Sequence, residues 1–359
     1  MKMKMNQVSK ISKKGYVIYG MVILAYLVMQ LLVQTGSLSS LMTGLLVPLC
    51  IYVILAVSLN LTVGILGELS LGHAGFMCVG AFTGAFFSVA TVDIITIPIL
   101  RFVIAMILGA LAAAVFGIIL GIPVLRLKGD YLAIVTLAFG EIIKNLVNVI
   151  YIGVDKNGFH FSMKDAVALK LGEEGKVIIN GAQGITGTPK DSTFTIGIIV
   201  ILIILFIILN LIHSRAGRAI MAIRDNRIAA ESIGINITKY KLMAFTLSAS
   251  MAGVAGVLYS HNLSTLTALP KNFGYNMSIM ILVFVVLGGI GNIGGSILAA
   301  IALTILPELL RGLNDYRMLM YAIVLIAMMI FNSSPKAIAF REKYSIKRFL
   351  SKKTKREDV

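Results

Sequence analysis

The chain has 359 residues, 58% of them hydrophobic and 13% charged, and its formal net charge is +16. A soluble domain carries roughly 25% charged residues, so with a mean hydropathy of +0.93 no soluble fold of this size hides this much apolar surface. Much of the chain has lipid as its solvent, and the positive charge then asks which loops hold it instead of pointing to nucleic acid.

Crossing a hydrocarbon layer about 30 Å thick takes about 20 helical residues. In chain order, the apolar runs predict helices over about 16–34, 41–63, 72–92, 97–122, 130–152, 193–212, 241–261, 276–291, 293–311 and 316–333. The runs are continuously apolar, whereas a β-barrel shows ~10-residue strands of alternating character. The predicted fold class is therefore an all-α polytopic membrane protein of about ten transmembrane helices. A basic segment 1–15 precedes the transmembrane region 16–333, and a basic tail 334–359 follows it. The first run lies behind five lysines as in a signal peptide. It lacks a small-residue cleavage site and leads straight into further membrane segments, so it reads as a retained first helix. Cys50 and Cys78 sit in apolar runs and read as space-filling thiols.

The second and third segments share a hydrophobic region broken by glycine, from Asn60 to Gly84, including Gly64, Gly67, Gly72, Gly75 and Gly80. A second broken region, GGIGNIGG at 288–295 with Gly288 and Gly291, occupies the corresponding place in the second half, a hint of internal duplication. Paired broken segments mark a substrate path where freed backbone groups line a polar cavity. Small residues also serve close helix packing, and both readings stand. Glu68 and His73 bracket the first region and read as helix-junction residues.

On the fifth helix Glu141 and Lys144 share a face at i, i+3 and can pair. With a helix start near Asp130, Glu141 lies ~16 Å along the axis, near mid-bilayer. There the two charges either line an aqueous path or lock helices together as an ion pair. Asn60, Gly64, Gly72, Gly75, Glu141, Lys144, Gly288 and Gly291 are accordingly the candidate translocation-path residues.

The loop 214–240 reads SRAGRAIMAIRDNRIAAESIGINITKY. A helix is predicted over 218–233, mixing Ile220, Ile223 and Ile228 with Arg218, Arg224, Asp225, Arg227 and Glu231. Ala229 and Ala230 lead to Gly234 as its stop. Such a helix either docks into a groove on another protein or lies on the bilayer. Basic residues favour the cytoplasmic side. Segment 1–15, the link 126–129, the loop 213–241 and the tail carry 5, 2, 6 and 9 of the 32 lysines and arginines, which predicts that both termini are inside. The tail residues Lys347, Arg348, Lys352, Lys353, Lys355 and Arg356 are then a topology anchor on anionic lipid.

No G-x-x-x-x-G-K-[ST] loop occurs, so the chain shows no means of binding ATP. His73, His160, His213 and His261 are scattered without metal-ligand spacing, and there is no G-x-S-x-G elbow. No catalytic residue, metal site or cofactor is expected in this chain.

From Ser214 the sequence SRAGRAIMAIRDNRIAAESIGINITKYKLMAFTLSASMAGVAGVLY resembles the signature loop and following helix of the branched-chain amino-acid ABC permeases, in their LivM-like branch. The resemblance continues in SLNLTVGILGELSLGHAGFMCVGAF (58–82), LKGDYLAIVTLAFGEIIKNL (127–146), NGAQGITGTP (180–189) and VVLGGIGNIGGSILAA (285–300). It covers most of the chain from about 55 to 310. It implies an importer permease in a prokaryotic cytoplasmic membrane. It also implies a second, related permease, two cytoplasmic ATP-binding subunits that carry the ATP, and an extracytoplasmic substrate-binding protein.

The resemblance further implies that 214–240 is the coupling element, similar to the EAA loop of other importers, with Arg218, Arg224, Asp225, Ala229, Ala230, Glu231 and Gly234 facing the ATPase. This sequence has Ala-Ala-Glu before Gly234 where the strict pattern is E-A-A-x-x-x-G. The implied cargo is leucine, isoleucine or valine; urea, short amides and other amino acids use similar permeases. Two further classes stay open on the residues. An ion-coupled secondary transporter would have Glu141 as its one intramembrane acidic candidate, and a membrane scaffold would need no docking loop.

Overall fold

In the computed structural model, residues 2–37, 39–126, 129–155, 158–172, 175–310 and 316–333 are described. The predicted basic tail 334–359 and Lys128 of the basic link 126–129 lie outside them. Contacts divide the chain into two units, Met1–Ile301 and Ala302–Val359.

The first unit opens with α1 (Lys2–Gln34) and α2 (Ser40–Asn60), whose first turn is capped by the Ser39 hydroxyl accepting from Met42 N. Helix α2 continues without a break into a π-helical turn, Leu61–Leu66, and stops at Gly67, whose φ of 81° is left-handed. Next come α3 (His73–Ala90), α4 (Pro98–Val124) and α5 (Asp130–Val147). After the β region described below follow α6 (Phe194–His213), α7 (Arg215–Asp225), α8 (Arg227–Ser232) and α9 (Ile237–Ser260). A short α10 (Pro270–Phe273) leads into α11 (Tyr275–Gly288) and α12 (Ile293–Leu309). Helices α3, α4 and α9 pack most extensively on one another, with α2 against α9. Glycine permits this closeness: a Cβ on Gly80 would strike the Gly253 backbone, and one on Gly256 would strike Met77. In lipid, where apolar side chains gain little by leaving the solvent, such small-residue seams bring helices together. In the second unit α13 (Arg317–Ser333) turns Leu319, Ile323, Ile326 and Ile330 outward.

Each of the ten predicted segments contains a helix. Among the described residues seven helices are long and apolar enough to cross a membrane: Gly15–Gln34, Ser40–Leu66, His73–Ala90, Pro98–Val124, Phe194–His213, Ile237–Ser260 and Pro270–Gly288. Helix α5 falls outside that set with Asp130, Glu141 and Lys144 in its 18 residues, while α12 and α13 are 17 residues each. The chain is thus a multi-pass α-helical membrane protein. Cys50 and Cys78 are buried and free.

Three features depart from the sequence reading. Helix α5 ends at Val147, not 152, because the chain turns at Asn148 and enters β1 (Tyr151–Asp155). The connection from α5 to α6 holds strands, which the all-α reading did not include. There β1 pairs antiparallel with β2 (Gly158–Ser162) and with β3 (Lys176–Asn180) in one sheet, and β4 (Ile185–Thr186) pairs with β5 (Thr265–Leu266), which follows α9, in a second. The single helix expected over 218–233 is two helices, α7 and α8.

Candidate functional site

Local hydrogen bonding sets the shape of the 214–240 loop. The Ser214 hydroxyl accepts from Gly217 N at 3.1 Å and starts α7. Asn226 is extended (φ −155°, ψ 104°), and its side-chain oxygen accepts from Ala229 N at 3.0 Å, so it ends α7 and caps α8 at once. After α8, Gly234 takes φ +83°, and Ile235 N reaches back to Ala230 O at 3.1 Å. Gly234 is therefore the helix stop that its position suggested, a backbone that glycine adopts without a Cβ penalty.

The apolar residues of the loop divide between two surroundings. Ile220 is fully buried against Leu61, Ile65, Leu66 and Ala244, and Ile223 packs with Ala230 and Ile237. Ile228 is 80% exposed and Ile233 is 74% exposed. Helix α7 is thereby seated on the π-helical turn at the end of α2, while α8 turns Arg227, Ile228, Ala229 and Glu231 outward. Arg218 bonds the His213 carbonyl at 3.0 Å, closing the end of α6.

Arg224 reaches from the end of α7 to the end of α2 with its side chain still partly exposed. Its Nη1 donates to the Gly64 carbonyl at 2.9 Å, while Nε and Nη2 donate to Asp225 Oδ1 at 3.0 and 2.8 Å. The last four carbonyls of a helix lack intrahelical donors and carry its negative pole, and a guanidinium satisfies both deficits. The Arg224 stem crosses Gly67, where a Cβ would lie 2.5 Å from Arg224 Cγ. Beside it Lys241, at the start of α9, forms a buried ion pair with Glu68. A cavity of about 390 Å³ opens here, lined by Leu66, Gly67, Glu68, Gly129 and Ile223, and by Arg224, Arg227, Ile228 and Lys241.

The two glycine-broken regions meet at this place. Asn60, fully buried, donates to Ser296 Oγ at 2.9 Å and accepts from Gly291 N at 2.8 Å. A Cβ on Gly64 would collide with the Gly291 backbone. Gly291 itself has φ +79°. Of the other candidate path glycines, Gly72 and Gly75 cross α5, with a Cβ at Gly72 2.5 Å from Thr136 O and one at Gly75 2.7 Å from Gly140 Cα. Gly288 folds against Gly295 and Ser296 of its own turn. Asn60, Gly64 and Gly291 therefore form one cluster, Gly72 and Gly75 a separate helix seam, and Gly288 a tight turn. Between them, His73 Nε2 lies 2.7 Å from Ser58 Oγ, and Ala74 N donates to Ser278 Oγ at 3.1 Å.

Glu141 and Lys144 stand apart, toward the other end of the helices. Their side chains form an ion pair, and the second Glu141 oxygen accepts from Tyr275 N, the first residue of α11, at 2.8 Å. Because α5 runs from Asp130 to Val147, Glu141 is about 16 Å from its start and about 9 Å from its end at ~1.5 Å per residue. A carboxylate at a helix N-terminus meets the positive pole and an unpaired N–H, so the geometry ties α5 to α11. The same end of the bundle carries Asn148 on the Ala268 carbonyl at 3.1 Å and the Arg101–Asp191 ion pair at 3.1 Å. Among the described residues no group of histidine, cysteine or acidic side chains could hold a metal ion.

Sequence reasoning missed Lys241 and Ser296 as parts of the site. Lys241 was visible only as a cation at the mouth of an apolar run, and Ser296 only as a hydroxyl after GGIGNIGG.

Residues 41–332 match the family model described as branched-chain amino acid transport system / permease component. The chain is similar to the high-affinity branched-chain amino acid transport system permease protein LivM of Salmonella typhimurium, at 37% identity over 290 residues. It is similar at the same identity and length to LivM of Escherichia coli. Each alignment covers 78% of this chain and 66% of the relative, just under two thirds of the relative's length. A fructose import permease protein, FruG of Bifidobacterium longum, is 29% identical over 156 residues, 40% of this chain and 44% of the relative. No solved structure shows a significant match.

Proposed function

As the chain belongs to the family of branched-chain amino acid transport permease components, we propose that it is a transmembrane subunit of an ABC importer that moves branched-chain amino acids inward. The ATP is bound and hydrolysed by two cytoplasmic partner subunits. A second related permease completes the pore, and a substrate-binding protein delivers cargo from outside the cytoplasmic membrane of a prokaryote. The observation that carries this reading is the seating of the 214–240 loop on the broken end of α2. A surface helix that outside partners can reach is joined there, through buried contacts, to the residues where the two glycine-broken regions meet.

The reading comes with a topology of ten crossings, both termini inside. Its support is the distribution of basic residues and the gathering of Glu68, Gly129, Arg224 and Lys241 around one cavity. Alternation of crossings puts these segments on one side. In this scheme α8 offers Arg227, Ile228, Ala229 and Glu231 to the ATP-binding subunit, and Gly234 fixes the exit of that helix. Asn60, Gly64 and Gly291 stand at the inner mouth of the path. Glu141 and Lys144 act as a lock between α5 and α11, not as a lining of the path, because the carboxylate has both oxygens engaged. Transport chemistry resides in the partners: the chain moves substrate and transforms nothing.

Affinity purification of the tagged chain from its native membrane tests the assembly. A P-loop ATPase and a second permease should accompany it in fixed ratio. Recovery of the chain alone, with amino-acid uptake that follows an ion gradient in the absence of ATP, would overturn the reading.

A further inference from the structure

We infer that Arg224 is a positioning residue that transmits movement of the 214–240 loop to the gate formed by the two glycine-broken regions, and is not itself a docking contact. The inference rests on the importer reading and adds to it the atoms through which the loop acts.

Four observations converge on it. First, although the Arg224 side chain stays 36% exposed, its Nη1 reaches across to end on the Gly64 carbonyl at 2.9 Å. Second, Gly64 lies in a π-helical turn. Such turns are rare and occur frequently at functional sites. Third, Gly64 abuts Gly291 with no room for a side chain, and Asn60, one turn earlier, is hydrogen-bonded to Gly291 N and Ser296 Oγ. Displacement of the Gly64 carbonyl is thus felt directly by the second broken region. Fourth, the guanidinium is pre-set: Asp225 holds two of its N–H groups, and Gly67, at φ +81°, leaves space for the stem. The apolar seat of Ile220 on Leu61 and Leu66 keeps α7 in place, but apolar surfaces slide. A hydrogen bond from a cation to a helix-terminal carbonyl fixes one atom to one atom and gives the movement a direction.

The experiment uses the whole complex, purified with its ATP-binding subunits and reconstituted with the binding protein. Arg224→Met keeps the stem and removes the donors. It should retain subunit stoichiometry and basal ATP hydrolysis within about twofold, while uptake falls about tenfold or more, the size expected for losing a charge-assisted hydrogen bond. Arg224→Lys, which can still donate to one carbonyl, should recover part of the uptake. Gly67→Ala pushes the stem aside from the other partner and should uncouple as Arg224→Met does, so these two variants carry the test if Arg224→Met does not insert. Loss of the ATP-binding subunits from Arg224→Met would make Arg224 a docking residue and overturn the inference. Coupled uptake at the parental rate in Arg224→Met or in Gly67→Ala would overturn it too. Failure of the underlying reading looks different: the parental complex would show no ATP-dependent uptake, and Ile228→Asp on the outward face would leave subunit recovery unchanged.

Discussion

Replacing Glu68 by glutamine should strip Lys241 of its counter-charge where little water reaches the ammonium. The ammonium side chain is 7% exposed and the carboxylate 16%. Breaking one side of a buried pair costs about 3–5 kcal/mol. The low end applies because Glu68 keeps some access to water, so the expected loss is about 3 kcal/mol, roughly a hundredfold in the equilibrium between folded and unfolded chain. The double variant Glu68→Gln/Lys241→Met exchanges the pair for neutral groups of similar size and should lie within about 1 kcal/mol of the parent, since such replacements are often neutral. Heating the detergent-solubilised protein in steps and following the monodisperse fraction by size exclusion measures both. The single variant should aggregate at clearly lower temperature and the double variant near the parental one. Equal loss in the two would show that Glu68 and Lys241 do not depend on one another, and the junction between the end of α2 and the start of α9 would have to be held in another way.

The second ion pair gives a parallel expectation. Glutamine at 141 can still accept from Tyr275 N, so Glu141→Gln isolates the cost of a bare Lys144. It should impair assembly by no more than about 3 kcal/mol, since the Glu141 side chain is 27% exposed, whereas Glu141→Gln/Lys144→Gln is milder; indistinguishable variants would assign the two residues separate roles. At Gly234 no atom lies within 4 Å of where a Cβ would stand, so Gly234→Val costs only the left-handed backbone, about 1–2 kcal/mol. That variant should insert and express normally yet recover fewer ATP-binding subunits or hydrolyse ATP without transport, and full transport would reduce the loop to a surface connection. For topology, Ile228→Cys, exposed in α8, should react with an impermeant maleimide only after the cells are opened; labelling of intact cells would reverse the orientation.

How much of this was legible depended on range. Continuous apolar runs are a local signal, and they located the seven helices long and apolar enough to cross a membrane because lipid demands length and hydrophobicity from each segment by itself. The end of α5 was misjudged because Val149 and Ile150 extend the apolar run past Val147, and only strand pairing at Tyr151 reveals the change. The sheet from β1 to β3 is short and lies in a polar loop, so no period stood out. Gly234 was readable as a stop because the left-handed backbone that glycine favours is a local property. The break at Asn226 could have been suspected, since asparagine prefers caps to helix interiors. What no local pattern contains is the pairing of Arg224 with Gly64, 160 positions apart, or of Lys241 with Glu68, 173 apart. Both looked like charges at a solvated surface and are set by tertiary packing. Asn60 carried the one usable hint, a lone amide inside an apolar run, where a buried polar group has to find partners.

Uptake decides the central claim. Proteoliposomes holding this chain, its permease partner and both ATP-binding subunits, with ATP enclosed on the ATPase side and the binding protein on the other, should accumulate labelled leucine, and unlabelled isoleucine or valine should compete. Without ATP the signal should fall to the level of empty vesicles. Leucine accumulation that persists without ATP and collapses with an ion gradient would contradict the account, and ATP-driven uptake of a different cargo with none of leucine would leave the architecture and refute the substrate.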